Sequence, residues 1–315
     1  MEERSVGHGL FFQSIAAVQS VVKKYPALKT RFIVNPRSGR ASHALAEVRA
    51  FAAQQRAEVV LTTHASHASH LARAALGDGC GLIVAVGGDG TMNEIAAVLT
   101  GTAATLGLVP CGSGNGLGRH LRIHGSVARA LEILRHGRAR LIDTGLADGH
   151  PFFTAAGIGF EAEIAQRFNR LERRGFFRYL TTSATAWRNW RPQDFVVSHA
   201  GRREAFRAFT LAVANADQYG NHARIAPGAT VDDGQLDLCA IPPVTLLNAL
   251  PLTVRLFRGT IGGGRGVNAR RGDRFMIERA TPGWLHTDGE VHDAGTRLEF
   301  SVRPASLRIL VPAEL

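Results

Sequence analysis

The residues best suited to chemistry are Gly87, Gly88, Asp89 and Gly90, which end the apolar run in LIVAVGGDGTMN, Leu82 to Asn93. Glycines can adopt positive φ and leave backbone N–H groups uncovered, so such a turn can wrap a phosphate. Asp89 would then face the cation that accompanies the phosphate. This is the chemistry of a nucleotide triphosphate site, although Gly and Asp also make ordinary turns between strand and helix. A second polar turn, Asn35-Pro36-Arg37-Ser38-Gly39, follows the short apolar run Arg31 to Val34. A third, Pro110 to Gly118, follows Thr105 to Val109.

The elements that must position these turns can be read from periodicity. Leu82 to Val86 reads as a buried strand, with the next helix starting near Thr91. Helices are expected over Ala41 to Gln54, from the His64–His67–His70 stretch to Leu76, and over Asn93 to Leu99, with a further strand at Val59 to Thr62. Strands alternating with helices at this interval predict a doubly wound, mostly parallel sheet, whose ligands bind at the carboxyl edge. His64, His67 and His70 spread over more than one helix face and lack a nearby carboxylate, so they do not read as a zinc site.

From about Arg138 the pattern changes to short segments of alternating polarity. They are Arg140 to Leu146, Phe152 to Thr154, Asp194 to His199, Phe206 to Ala214, Gln235 to Ala240, Arg274 to Ile277 and Arg297 to Val302. Helices are expected over Glu161 to Trp190 and Val244 to Arg258. The fold class is therefore α/β, a nucleotide domain followed by an antiparallel β-rich domain with inserted helices. The expected organisation is a lead-in helix over 1–30, the nucleotide domain over 31–143 and the β-rich domain over 144–303. A closing strand within 304–315 could return to either domain.

The 315 residues suffice for two cores, and 45% hydrophobic with 20% charged residues is the composition of a globular protein. A formal charge of +11 favours acidic partners: phosphorylated small molecules, an anionic membrane surface or nucleic acid. Nucleic acid has only that charge in its favour, because no binding motif or interleaving of aromatic and basic residues occurs. Cys80, Cys111 and Cys239 are too few and too dispersed for a disulfide framework or a metal cluster, which fits a reducing cytoplasm. Glu2, Glu3 and Arg4 before a short apolar patch do not read as a secretory leader. The uncharged span Ile95 to Gly118 is interrupted by glycines and prolines, so any membrane contact is expected from the surface.

Six motifs in order resemble the diacylglycerol-kinase catalytic-domain superfamily, the bacterial lipid kinases with their sphingosine and ceramide kinase relatives. They are NPRSG (35–39), GGDGTMNE (87–94), PCGSGNGLGRHL (110–121), GIGFEAE (157–163), IAPGATVDDGQLD (225–237) and TDGE (287–290). The resemblance implies an ATP- and Mg2+-dependent lipid kinase, cytoplasmic and peripherally attached to the membrane, with its cleft between the two domains. It further implies ATP contacts from Asn35, Pro36, Arg37, Ser38, Gly39, Thr62, Gly87, Gly88, Asp89, Gly90, Thr91, Asn93 and Ser113, with Asp89 serving magnesium and the phosphates. Glu290 matches the general base on the acceptor hydroxyl. Asp233, with the carbonyls of Thr230 and Gln235, matches a structural magnesium site, although an Asp-Gly hairpin turn also explains that stretch. Glu161 and Glu163 lie where relatives carry acidic residues near the lipid head group.

One departure bears on the acceptor. Gly116 follows Asn115 where many bacterial diacylglycerol kinases carry aspartate, and GSGN is the form common in sphingosine and ceramide kinase relatives. The alternatives are an NAD kinase-like enzyme, which shares the GGDGT turn, and a non-catalytic nucleotide or lipid sensor. NPRSG, GSGN and TDGE together, with Asn93-Glu94 directly after GGDGT, weigh against the first. Intact Asp89 and Glu290 weigh against the second.

Overall fold

The structure, a computed structural model, describes residues 28–169, 176–218 and 223–315. The expected lead-in helix over 1–30 falls almost wholly outside these residues.

The chain opens with β1 (Thr30–Val34), α1 (Ala41–Gln54), β2 (Glu58–Leu61), α2 (His67–Gly77), β3 (Leu82–Gly87), α3 (Asp89–Leu99) and β4 (Thr105–Pro110). Two short helices follow, α4 (Gly116–His120) and α5 (Val127–His136). Strands β2, β1, β3 and β4 lie side by side and parallel, with Ile33 opposite Val60 and Ala85, and Val84 opposite Gly107. Their run of Phe32, Ile33, Val84 and Val86 is buried on both faces, which is why these strands read as continuous apolar segments. On one face Val48, Phe51 and Leu131 of α1 and α5 cover them; on the other, Ala72, Ile95 and Leu99 of α2 and α3 do.

The remaining chain forms β5 (Arg138–Ala147), β6 (His150–Phe152), β7 (Ala155–Gly159), α6 (Phe160–Asn169), α7 (Phe176–Asn189), β8 (Gln193–His199), β9 (Arg202–Ala208), β10 (Thr210–Ala214) and β11 (Leu236–Ile241). It closes with α8 (Leu246–Arg258), β12 (Asn268–Gly272), β13 (Arg274–Arg279), β14 (Gly283–Thr287), β15 (Glu290–Ala294) and β16 (Arg297–Val311). One antiparallel sheet runs β12-β11-β10-β7-β14-β15. The other begins as the parallel strands and continues through β16, β13, β8 and β9. Between the sheets lie Phe152, Phe195, Phe275 and Phe300 against Leu211, Val213, Leu236 and Leu285. This architecture is the α/β plan with an antiparallel β-rich second part expected from the sequence.

Several elements differ from the expectation in detail. Helix α3 begins at Asp89, two residues before Thr91, with Gly88 as its cap. Phe206 to Ala214 is not one strand: the chain crosses at Phe209 from β9 in one sheet to β10 in the other. Arg297–Val302 and Ser306–Val311 are one strand, β16, bent by an irregularity between Arg303 and Leu307. Its first half pairs with β13, its second half lies parallel to β4, and β5 follows it along both. The closing segment therefore joins the parallel strands to the antiparallel ones in a single sheet. The stretch expected as one helix over Glu161 to Trp190 is helical on either side of 170–175, which lie outside the described residues.

Candidate functional site

Because β1, β3 and β4 are parallel neighbours, the turns that follow them emerge at one edge. Their backbones bond directly: Asn35 N–H donates to Val86 O at 2.9 Å, Cys111 N–H to Gly87 O at 2.6 Å, and Arg40 N–H to Cys111 O at 3.0 Å. The approach leaves no room for side chains. Gly39 sits at φ +51°, and a Cβ there would lie 2.1 Å from Cys111 O; one on Gly112 would lie 2.7 Å from Gly88 Cα.

Side chains complete the edge. The Asn35 amide donates to Thr91 Oγ1 at 3.1 Å and accepts from Arg37 N–H at 3.1 Å, an Asx-type lock on the first turn. The Asp89 carboxylate reaches the third turn, accepting Asn115 N–H and Gly116 N–H at 2.8 Å each. Asn115 itself is left-handed, at φ +52°, and its side chain donates to Gly112 O at 2.6 Å. Glu94 accepts Ser66 N–H at 3.2 Å and Ser69 N–H at 3.3 Å, tying α3 to the start of α2. An open cleft of about 120 Å³ remains, lined by Asn35, Arg37, Thr62, His64, Thr91 and Glu94. Ser38 lies over Gly88, while Gly90 and Ser113 are exposed along the same edge. Asn93 carries a buried Oδ1 without a hydrogen-bond partner among the described residues.

Glu290 is positioned by a different device. Asp288 (φ +50°) and Gly289 (φ +87°) form the two-residue turn between β14 and β15, with Thr287 opposite Glu290. The Asp288 carboxylate is turned inward, accepting Phe153 N–H at 2.7 Å, Thr154 N–H and Ala155 N–H at 2.9 Å, and the Thr154 hydroxyl. Burial pushes the Asp288 carboxyl up, and those donors pull it back. Arg279 clamps the base of the hairpin, donating to the carbonyls of Gly283, Trp284, Ala294 and Gly295 at 2.8–3.1 Å. The Glu290 carboxylate is thereby presented at the start of β15, exposed and with no hydrogen-bond or ion-pair partner among the described residues.

The hairpin and the glycine turns share neighbours. Helix α3 packs against β6, and β6 against β14. The His150 ring stacks on His292 of β15 with centroids 3.7 Å apart, and His292 Nε2 bonds the Thr287 hydroxyl at 2.8 Å. Burial, together with His150 and His286, pushes His292 down to about 4. His120, at the end of the third turn's helix, meets Asp217 of the second part at 2.6 Å. Among the described residues, no hydrogen bond or ion pair joins Glu290 to Asp89.

Glu161 and Glu163 open α6, which packs against β14 and β15. Glu161 Oε1 is 3.4 Å from His286 Nε2, and Glu163 is ion-paired to Arg167 at 2.7 Å. Asp233 lies in the turn that leads into β11. Its carboxylate accepts the Thr230 hydroxyl at 2.9 Å and Gln235 N–H at 3.0 Å, and Arg271 stands 3.5 Å away. β11 pairs with β10 and β12 and with no strand across this turn, so the stretch is not the Asp-Gly hairpin that the sequence also allowed. Asp288, Arg279 and His286 were not singled out from the sequence. Asp288 alone carried a signal, as the first residue of an Asp-Gly pair.

Comparison with known proteins gives this arrangement its family. The model for the diacylglycerol kinase catalytic domain matches residues 29–147, and that for the YegS C-terminal NAD kinase beta sandwich-like domain matches residues 154–311. A "Probable lipid kinase YegS-like" from Pseudomonas aeruginosa is 31% identical, over 85% of this chain and 90% of its own. A "Diacylglycerol kinase" from Mycobacterium tuberculosis is 28% identical, over 92% and 97%. A crystal structure of a diacylglycerol kinase from Bacillus anthracis shares the fold at a TM-score of 0.71 and 19% identity, covering 91% of this chain and 97% of that one. By these matches the chain is an enzyme, a kinase. The chain belongs to the diacylglycerol kinase catalytic-domain and YegS-like superfamily of bacterial lipid kinases.

Proposed function

We propose that this protein transfers the γ-phosphate of ATP to a hydroxyl of a lipid, with Glu290 as the general base. The observation that carries the reading is the division of labour between two presented groups. Three turns meet at one sheet edge beside an open cleft, and a separate hairpin, anchored through Asp288, offers a Glu290 carboxylate with no partner among the described residues. Phosphoryl transfer needs that combination, because the protein must hold the phosphates and orient and deprotonate the attacking hydroxyl.

In this reading the nucleotide lies along Asn35 to Gly39, Thr62, Gly87 to Asn93 and Ser113. Asp89 would face the magnesium that accompanies the phosphates, an ion that would neutralise charge on them. Asp89 also fixes the third turn, so its two oxygens hold the cradle in shape whether or not nucleotide is bound. The domain of residues 31–143 then serves the nucleotide and that of 144–303 the acceptor, with Glu161 and Glu163 near the head group. A cytoplasmic enzyme working at the inner membrane face agrees with a charge of +11 and with the absence, among the described residues, of a helix long and apolar enough to cross a membrane.

The acceptor is a diacylglycerol or a sphingoid or ceramide-like lipid, and Gly116 after Asn115 keeps the second class beside the first. The test is transfer of labelled γ-phosphate to a panel of diacylglycerol, monoacylglycerol, ceramide, sphingoid base and NAD. Label in a lipid is the expected result. Label in NAD alone would replace this reading with the NAD kinase-like one, and bound ATP with no transfer would make the protein a sensor.

A further inference from the structure

Helix α8 has two apolar faces. Leu252 and Leu256 turn inward, onto a cluster containing Phe209, Cys239, Ile241 and Trp187. Leu246, Leu247, Leu250, Val254 and Phe257 turn outward and are 83%, 92%, 71%, 39% and 48% exposed. At the turn angle of an α-helix these five fall within an arc of about 100°. A contiguous face of this kind on a soluble protein marks a contact surface.

The surrounding charge says what the face meets. From Leu238 to Gly272 the chain contains five arginines and no aspartate or glutamate. Arg270 and Arg271 are paired with Glu204 and Asp237. Arg255, Arg258 and Arg265 have no carboxylate partner among the described residues; Arg258 and Arg265 are exposed, and Arg255 bonds only the Thr260 carbonyl. An apolar stripe beside unpaired arginines fits an anionic bilayer, where leucines enter the acyl boundary and guanidinium groups meet lipid phosphates. A second copy is disfavoured, because a two-fold pairing through this face would bring arginines against arginines with no acid in the segment.

The face also has a route to the site. The Trp187 indole of α7 donates to Val244 O at 3.3 Å, and Phe160, the residue before Glu161, belongs to the cluster under α8. Helix α6 then packs on the hairpin that carries Glu290.

We propose that the outward face of α8, with Arg255, Arg258 and Arg265 at its margin, is the surface by which this protein docks on an anionic lipid bilayer. The inference rests on the lipid acceptor proposed above, since a bilayer is where such an acceptor resides. The test is co-sedimentation of the full chain with mixed phosphatidylcholine–phosphatidylglycerol vesicles and with pure phosphatidylcholine vesicles. Two variants are compared with wild type: Leu247→Gln with Leu250→Gln and Phe257→Gln, and Arg258→Gln with Arg265→Gln. All five positions are exposed, and an unchanged urea midpoint verifies the fold of each variant.

Each variant is expected to bind the mixed vesicles about tenfold less or weaker still, with wild type preferring them to pure phosphatidylcholine. Unchanged vesicle binding would overturn the proposal. So would a wild-type dimer that the leucine variant splits while vesicle binding persists, because the face would then belong to a second copy. Transfer of phosphate to lipid in detergent micelles reads the acceptor separately. Variants that keep micelle activity but lose the vesicles support docking, and a protein that phosphorylates no lipid yet loses the vesicles on substitution keeps the docking surface while the acceptor reading fails.

Discussion

Asp89 Oδ1 accepts the backbone N–H of Gly116 at 2.8 Å, and Asp89 Oδ2 that of Asn115 at the same distance. The aspartate of one glycine turn is thus the anchor of another.

Asp89→Asn follows from that pairing. An amide accepts through one oxygen only and turns an NH2 group toward the second N–H. The variant should lose about 1–3 kcal/mol of stability. It should also bind ATP more weakly, as the cradle loosens. Urea denaturation and equilibrium ATP binding check the two effects, and a variant unchanged in both would show that the turns hold each other without the carboxylate.

Asp288→Asn is predicted to act at a distance from nucleotide. Its Oδ1 can keep the donors of Thr154 and Ala155, but the amide NH2 would oppose Phe153 N–H, which Oδ2 now accepts. The expected cost is about 1–3 kcal/mol, with activity lost through a displaced hairpin. ATP affinity should be unaffected. A fall in ATP affinity equal to the fall in turnover would place the defect elsewhere.

The pH dependence has a defined window. His292 is depressed from its ordinary 6.5 to about 4, so the folded state holds the neutral ring where the unfolded chain is already protonated. Its contribution to stability is present above pH 6.5 and is lost as pH falls toward 4. Urea midpoints across that window should drop more steeply for wild type than for His292→Gln, which removes the titrating ring. Parallel curves would mean that His292 carries no such linkage.

The parts of this account legible in the sequence are those whose cause is local. Glycine turns after apolar runs announce strand ends, and parallel pairing brings them to one edge. The start of α3 at Asp89 was missed because Gly-Asp-Gly has poor helix propensity, which the packed turn overrides. The continuity of β16 was hidden by Arg303-Pro304-Ala305, which reads as a break; the bulge there is held by Asp143, whose carboxylate accepts Ala305 N–H at 2.7 Å from 162 residues away. Alternation through Phe206 to Ala214 could not reveal a change of sheet, since both strands keep the same period. Asp288 resembled any exposed hairpin residue, and only the fold brings Phe153 to Ala155 over it.

The most direct test is the turnover of Glu290→Gln on whichever lipid the wild type phosphorylates. Glutamine keeps the shape of an exposed side chain that has no partner among the described residues, and removes only its basicity. A loss of about 10²- to 10⁴-fold in kcat is expected, with ATP affinity and the urea midpoint unchanged. Full turnover by Glu290→Gln would contradict the role of Glu290 as general base.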